Sequence, residues 1–181
     1  MSKIIEAALL LKKNNISCIP FKVEWDKVAK KYTKTPAIKD VETFQNRCPT
    51  NEEIEKHFKY ANGIGLCTGR LIDSDSCIVV LDFDQKGICY NDFCEIEEVK
   101  ELFEKYDFPV NQTISGGYHV FFRSRKDIHN KKLAYDENKK VTIETRGISG
   151  KVVIPPTQGY KRISKDFFAI FLFWKMMRLI Y

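Results

Sequence analysis

The 181-residue sequence has no long hydrophobic run and no segment of low complexity. Its longest apolar stretch, FFAIFLFW at 167–174, has eight residues, whereas a helix that crosses a bilayer needs about 20. The apolar stretch near the N-terminus, IIEAALLL, is interrupted by Glu6 and lacks the small-residue cleavage site of a signal peptide. We therefore expect neither export nor a membrane partner.

The sequence also lacks a Cys-x-x-Cys pair and the cysteine spacing of a secreted disulfide framework. Its six cysteines are Cys18, Cys48, Cys67, Cys77, Cys89 and Cys94. We predict reduced thiols and a cytoplasmic protein. Cys89 and Cys94 could join a histidine in a zinc site, but one loose pair is typical of buried thiols, so structural zinc is not expected.

Charge is unevenly distributed along the chain. The formal net charge is +6, yet residues 1–60, 61–120 and 121–181 carry net charges of +4, −7 and +9. An acidic middle between basic flanks is either a solvated surface or a carboxylate metal site inside a cationic groove. Charge alone favours the surface. The content of 44% hydrophobic and 30% charged residues excludes collagen-like and wholly disordered classes.

Hydrophobic periodicity predicts a single α+β domain with a mixed or antiparallel sheet. Helices are predicted at 3–13, 51–60 and 95–105, the second with a capping box of Thr50 and Glu53. Residues 22–39 are rich in lysine and are predicted to form a loop. Strands are predicted at 16–21, 63–69, 76–83, 110–114, 118–123, 141–145 and 151–154.

Two carboxylates follow the most apolar of these strands, in the order Val-Val-Leu-Asp82-Phe83-Asp84. Side chains alternate along a strand, so Asp82 and Asp84 point to one face and Phe83 to the other. Two like charges so close favour a divalent cation, and Mg²⁺ or Mn²⁺ suits an all-oxygen site. Alternatively, the two acids simply begin a turn.

Two further segments carry polar groups that could bind phosphate. Ser115, Gly116 and Gly117 form a turn that leads to His119, and glycines let the backbone approach an anion closely. Glu144 ends a strand two residues before Arg146, which could bind phosphate in a bidentate manner. Taken singly, these segments are an ordinary hairpin turn and a surface strand.

In their joint order, these motifs resemble the bifunctional primase–polymerase domain of the archaeo-eukaryotic primase superfamily. The resemblance runs from Ala8 to about Ile163. The matching segments are Lys34-Thr-Pro36, Asn62-Gly-Ile-Gly65 with Thr68-Gly69, Val79-Val-Leu-Asp-Phe-Asp84, Thr113-Ile-Ser-Gly-Gly-Tyr-His119, Ile143-Glu-Thr-Arg-Gly147, and Val152-Val-Ile-Pro-Pro-Thr157 before Gly159-Tyr160. Departures from the family are Glu144, where Asp is frequent, and Thr157, where Ser is common.

The resemblance implies an α+β catalytic core with an RRM-like palm, an N-terminal α/β unit and flanking helices. It implies that Asp82, Asp84 and Glu144 hold two Mg²⁺ or Mn²⁺ ions. It assigns Ser115, Gly116, Gly117 and His119 to the incoming nucleotide, with Arg146, Lys161 and Lys34 as further contacts. Of these, His119 also counts as catalytic.

The implied activity is template-directed transfer of a nucleotide from a dNTP or NTP to a 3′-hydroxyl, with release of pyrophosphate. The implied partners are single-stranded or primed DNA and a helicase or helical bundle, in a replication protein of a plasmid, virus or integrated element. A catalytically silent nucleic-acid-binding module remains an alternative. A sugar-nucleotide transferase would leave the SGGYH turn and the third acid unexplained.

The predicted catalytic domain covers residues 1–163. Residues 164–181 are predicted to be an apolar C-terminal helix or the junction to a further part of a longer protein, since eight consecutive apolar residues are poorly suited to solvent.

Overall fold

The computed structural model describes residues 2–72, 75–106 and 108–164. The predicted segment 164–181 therefore lies, apart from Ser164, outside the described residues. Within the described part, no helix is long and apolar enough to cross a membrane.

Five helices and eleven strands make up the described chain. The helices are α1 (Lys3–Lys13), α2 (Thr43–Asn46), α3 (Asn51–Phe58), α4 (Tyr90–Cys94) and α5 (Glu97–Lys105). The strands are β1 (Cys18–Asp26), β2 (Lys31–Pro36), β3 (Gly63–Cys67), β4 (Gly69–Arg70), β5 (Cys77–Phe83), β6 (Val110–Gln112), β7 (Tyr118–Ser124), β8 (Lys131–Tyr135), β9 (Val141–Arg146), β10 (Lys151–Ile154) and β11 (Lys161–Arg162). The α+β class is confirmed.

The strands form two sheets in which every pairing between named strands is antiparallel. The smaller sheet has the order β10-β3-β1-β2. The larger has the order β11-β6-β7-β5-β9-β8, and β4 pairs with the start of β5. Of the two sheet types that the sequence left open, the structure has the antiparallel one.

One part of the secondary-structure prediction is wrong. Residues 22–39 are not a loop, because β1 continues to Asp26 and pairs with β2 in a hairpin. In the outer part of β1, Val23 and Trp25 alternate with polar residues, so the signal of a strand was present there. The β2 strand has one aromatic residue, Tyr32, among lysines and threonines, and it lacks the apolar alternation by which a half-buried strand is recognised. The capping box at α3 is confirmed, with the Glu53 N–H donating to Thr50 Oγ1.

The main hydrophobic core lies between β5 and the elements of the smaller sheet. Ile78 and Val80 of β5 pack there with Ile64 of β3, together with apolar residues of α1 and α3. On the opposite face of β5, Phe83 packs against Tyr90 and other aromatic residues of the α4 and α5 region. Because both of its faces are covered, β5 is fixed by packing, and this packing positions Asp82 near its end and Asp84 directly after it.

We predict that Ile64→Ala lowers the free energy of unfolding by about 2–5 kcal/mol, because Ile64 is fully buried and its loss leaves a cavity. Chemical denaturation measures the change. Val28→Ala is the control, since Val28 is 94% exposed, and should change stability by less than about 0.5 kcal/mol. Equal effects of the two substitutions would contradict the assigned core.

Candidate active site

Three strands of the larger sheet bring the predicted site residues into one row. On β5, Asp82 lies directly opposite Glu144 of β9 and His119 of β7. Directly opposed residues in an antiparallel pair project from the same face of the sheet. The register therefore places Glu144, Asp82 and His119 side by side, although they are far apart in sequence.

Asp84 completes a cluster of three carboxylates. It follows the end of β5, where its N–H donates to the Thr142 carbonyl at 2.9 Å. One oxygen from each of Asp82, Asp84 and Glu144 lies within 4.8 Å of the other two. Within the described residues, this is the cluster that could hold a metal ion through three side chains. The prediction that the two aspartates share a face with each other is thereby confirmed, and Glu144 joins them.

Arg146 lies beside these carboxylates. Its guanidinium bonds to Glu144, and its Nε is 3.4 Å from Asp82 Oδ2. The Asp82 and Glu144 side chains are each only 12% exposed, whereas that of Arg146 is 35% exposed. Arg146 therefore compensates two poorly hydrated negative charges while its own side chain keeps access to solvent.

His119 is buried, and its two ring nitrogens have different surroundings. Nε2 lies 3.4 Å from Asp82 Oδ1. Nδ1 is buried and has no hydrogen-bond partner. Since Nε2 faces the Asp82 carboxylate, Nδ1 is the ring nitrogen whose hydrogen-bonding capacity is unused.

Tyr160 is a site residue that the sequence analysis did not single out. Its ring lies 6.3 Å from that of His119, and its buried hydroxyl has no hydrogen-bond partner. The Lys34 ammonium lies 5.8 Å from the centre of the Tyr160 ring. The signal in the sequence that could have identified Tyr160 was its position beside Gly159 in one of the matching segments. The same contact shows that Lys34 is close to the site.

Buried polar atoms without a hydrogen-bond partner are concentrated around the row of Glu144, Asp82 and His119. Besides His119 Nδ1 and the Tyr160 hydroxyl, buried atoms without a partner are Asn111 Oδ1 and Thr142 Oγ1. Asn111 lies opposite His119 in the register, and Thr142 shares a face of β9 with Glu144. Buried polar groups are nearly always hydrogen-bonded, so unpaired ones clustered at one place are typical of a ligand site.

The three carboxyl groups differ in pKa. Burial raises the pKa of Asp84, and the nearby charge of Asp82 raises it further. Burial also raises the pKa of Glu144; Arg146 offsets part of this increase, and the charges of the two aspartates add to it. For Asp82, burial acts in the same direction, but the hydrogen bond and charge of His119, with Arg146 and Lys34, leave its pKa below the usual range.

The turn at Ser115–Gly117 packs beside the residues that follow Asp84. A Cβ atom on Gly117 would lie 2.2 Å from the Phe83 carbonyl oxygen, so only glycine fits there. The N–H groups of Gly116 and Gly117 already donate to the carbonyl and hydroxyl oxygens of Thr113. Ser115 is exposed at the tip. Phosphate binding by these three residues stays a prediction, and the geometry supports it for Ser115 more than for the two glycine amides.

The structure does not bring Lys161 to the carboxylates. Lys161 of β11 pairs with Gln112, whereas Arg162 pairs with Asn111. Because Asn111 is in register with His119, alternation puts Arg162 on the face of the carboxylates and Lys161 on the other face. Arg162 is therefore the better placed of the two cations.

We predict that Asp84→Asn raises the melting temperature of the metal-free protein at pH 7.5. The folded-state pKa of Asp84 is above its unfolded value, so the wild type loses stability relative to the variant as pH rises through the folded pKa. Thermal unfolding in EDTA should show a difference that vanishes below about pH 4. A variant that is less stable at pH 7.5, or a difference that is independent of pH, would contradict the electrostatic description.

Comparison with known proteins identifies the family of the chain. A family model described as "Bifunctional DNA primase/polymerase, N-terminal" (Prim-Pol) matches residues 8–165. No curated protein matches the chain. The matched range contains the carboxylates, His119, Arg146 and Tyr160 and spans most of the sequence. The chain therefore belongs to the Prim-Pol family of bifunctional DNA primase/polymerase N-terminal domains.

Proposed function

We propose that this chain catalyses template-directed nucleotidyl transfer, in which a 3′-hydroxyl attacks the α-phosphate of a dNTP or NTP and pyrophosphate leaves. The observation that carries the proposal is the cluster of Asp82, Asp84 and Glu144, with oxygens within 4.8 Å of one another, beside a buried histidine. Membership of the Prim-Pol family supports it.

The donor set fits a pair of hard divalent cations. Each ligand is a carboxylate oxygen, which Mg²⁺ and Mn²⁺ prefer. The raised pKa values of Asp84 and Glu144 reflect burial first and then repulsion from the neighbouring carboxylates, and a bound cation would relieve both. When bound, the ions would stabilise the charge that develops on the transferred phosphoryl group and lower the pKa of the attacking hydroxyl.

The cationic side chains would position the triphosphate. Arg146 can turn from the carboxylates toward phosphate oxygens, because its side chain is partly exposed and its planar guanidinium suits bidentate contacts. His119 would present Nδ1 to the same group while Asp82 fixes its orientation. Lys34 would approach from the side of Tyr160.

In this proposal, the catalytic domain covers residues 1–163 and acts on single-stranded or primed DNA. Its setting would be a replication protein of a plasmid, virus or integrated element, together with a helicase or a helical bundle in the same or a partner chain. The net positive charge of the chain suits the DNA backbone.

We predict that Asp82→Asn and Glu144→Gln each reduce primer extension about a hundredfold or more, because each removes a negatively charged ligand from the cluster that would hold the divalent cations. The assay is incorporation of labelled nucleotide on primed single-stranded DNA with Mg²⁺ or Mn²⁺. Glu101→Gln is the matched control, since Glu101 is an exposed glutamate on α5, and it should extend primers at the wild-type rate.

Either of two results would contradict the proposal. One is extension at the wild-type rate by the purified Asp82 or Glu144 variant. The other is salt-sensitive DNA binding by the wild type without incorporation under any tested metal, which would favour a silent nucleic-acid-binding module.

A further inference from the structure

The β1–β2 hairpin is a strongly basic projection beside the candidate active site. Between positions 22 and 36 it carries five lysines and the acidic residues Glu24 and Asp26. The Asp26 carboxylate accepts hydrogen bonds from the N–H groups of Val28 and Ala29, so it serves to close the turn. The charge that the hairpin presents to solvent is therefore mainly positive.

The outer half of the hairpin stands clear of its sheet. On the β3 side, β1 is paired only as far as Phe21, and the Asn62 side chain then holds the backbone of Val23 through two hydrogen bonds. Beyond that point, the two strands pair with each other, up to Asp26 and Lys31. This outer half is available to bind another molecule on its faces.

Two exposed aromatic residues lie on this outer half. Trp25 is 51% exposed and Tyr32 is 38% exposed. They are directly opposed in the register and touch edge to face, with ring centres 5.0 Å apart. Each ring fixes the orientation of the other, so the pair presents a preformed aromatic surface to solvent rather than to a core.

The aromatic pair lies on the same face as Lys34. Trp25 opposes Tyr32, Val23 opposes Lys34, and Phe21 opposes Pro36, so alternation puts these residues on one side of the hairpin. We call the exposed part, made of Val23, Trp25, Tyr32 and Lys34, the hairpin face. It leads from the exposed aromatic pair to Lys34, whose ammonium lies over the ring of Tyr160 and whose charge acts on Asp82 and Asp84.

We propose that the hairpin face binds single-stranded nucleic acid by stacking a base on the ring of Trp25, which Tyr32 holds in place edge to face, while Lys27 and Lys30 in the turn contact the phosphates. Aromatic side chains within a basic surface are how proteins bind single strands without sequence preference. Positive charge complements a polyanion, which an apolar protein partner would not require. Describing this strand as the template rests on the proposed function; the binding itself does not.

The test is the affinity for a fluorescein-labelled 16-mer of thymidylate, measured by fluorescence anisotropy in EDTA. Trp25→Ala should bind about tenfold more weakly than the wild type, and Trp25→Phe should restore most of the loss. Tyr60→Ala is the matched control, because Tyr60 is 81% exposed, has the Lys59 ammonium 5.3 Å from its ring and is not part of the hairpin. It should bind as the wild type does.

The salt dependence separates stacking from charge. Trp25→Ala should keep the wild-type slope of log affinity against log salt concentration, since no phosphate contact is lost. In the double variant Lys27→Gln/Lys30→Gln, the magnitude of this slope should fall by about 0.7 for each phosphate contact that is removed. Wild-type affinity in Trp25→Ala, an equal loss in Tyr60→Ala, or a duplex competitor as effective as the single strand would each overturn the proposal.

A second measurement does not depend on truncating Trp25. The sequence has two tryptophans, Trp25 and Trp174, so Trp174→Phe reports on Trp25 alone. Saturating oligonucleotide should quench its fluorescence, and unchanged fluorescence would overturn the proposal. Because neither assay requires catalysis, quenching without nucleotide incorporation would contradict the proposed function and leave the hairpin proposal standing. Incorporation of nucleotide without quenching would contradict the hairpin proposal and leave the proposed function standing.

Discussion

The repulsion among three carboxylates held at one place is the constraint on which the site depends. Asp82, Asp84 and Glu144 lie close enough to share a ligand, and burial weakens their hydration. Arg146 and His119 compensate part of this charge through contacts with Asp82 and Glu144. The negative charge that remains is best compensated by a divalent cation. The repulsion that destabilises the cluster of carboxylates therefore also favours the binding of a metal ion.

Rigid packing keeps these charges together. The β5 strand carries Ile78 and Val80 into the main core on the face that ends in Asp82, and Phe83 into a second apolar cluster on the opposite face. Its neighbours β7 and β9 bring His119 and Glu144 into register. Because an antiparallel ladder fixes which residues are opposed, the order of strands in the sheet determines the composition of the site.

The sequence predicted those parts of the site that depend on local pattern. Alternation along one apolar strand placed Asp82 and Asp84 on the same face, and the family resemblance supplied Glu144 and His119. The β2 strand was missed because its sequence has one aromatic residue and no apolar alternation, and Tyr160 because its role comes from contacts across the fold. Lys161 was chosen over Arg162 because a one-residue difference in register, which reverses the face, is visible only once β11 is paired with β6.

The most direct test is a crystal structure of the protein with Mn²⁺ and a non-hydrolysable dNTP, in which anomalous scattering locates the metal. The account predicts manganese coordinated directly by oxygens of Asp82, Asp84 and Glu144, with the triphosphate in contact with Arg146 and His119 Nδ1. Manganese bound elsewhere, or a triphosphate that does not reach these residues, would contradict it.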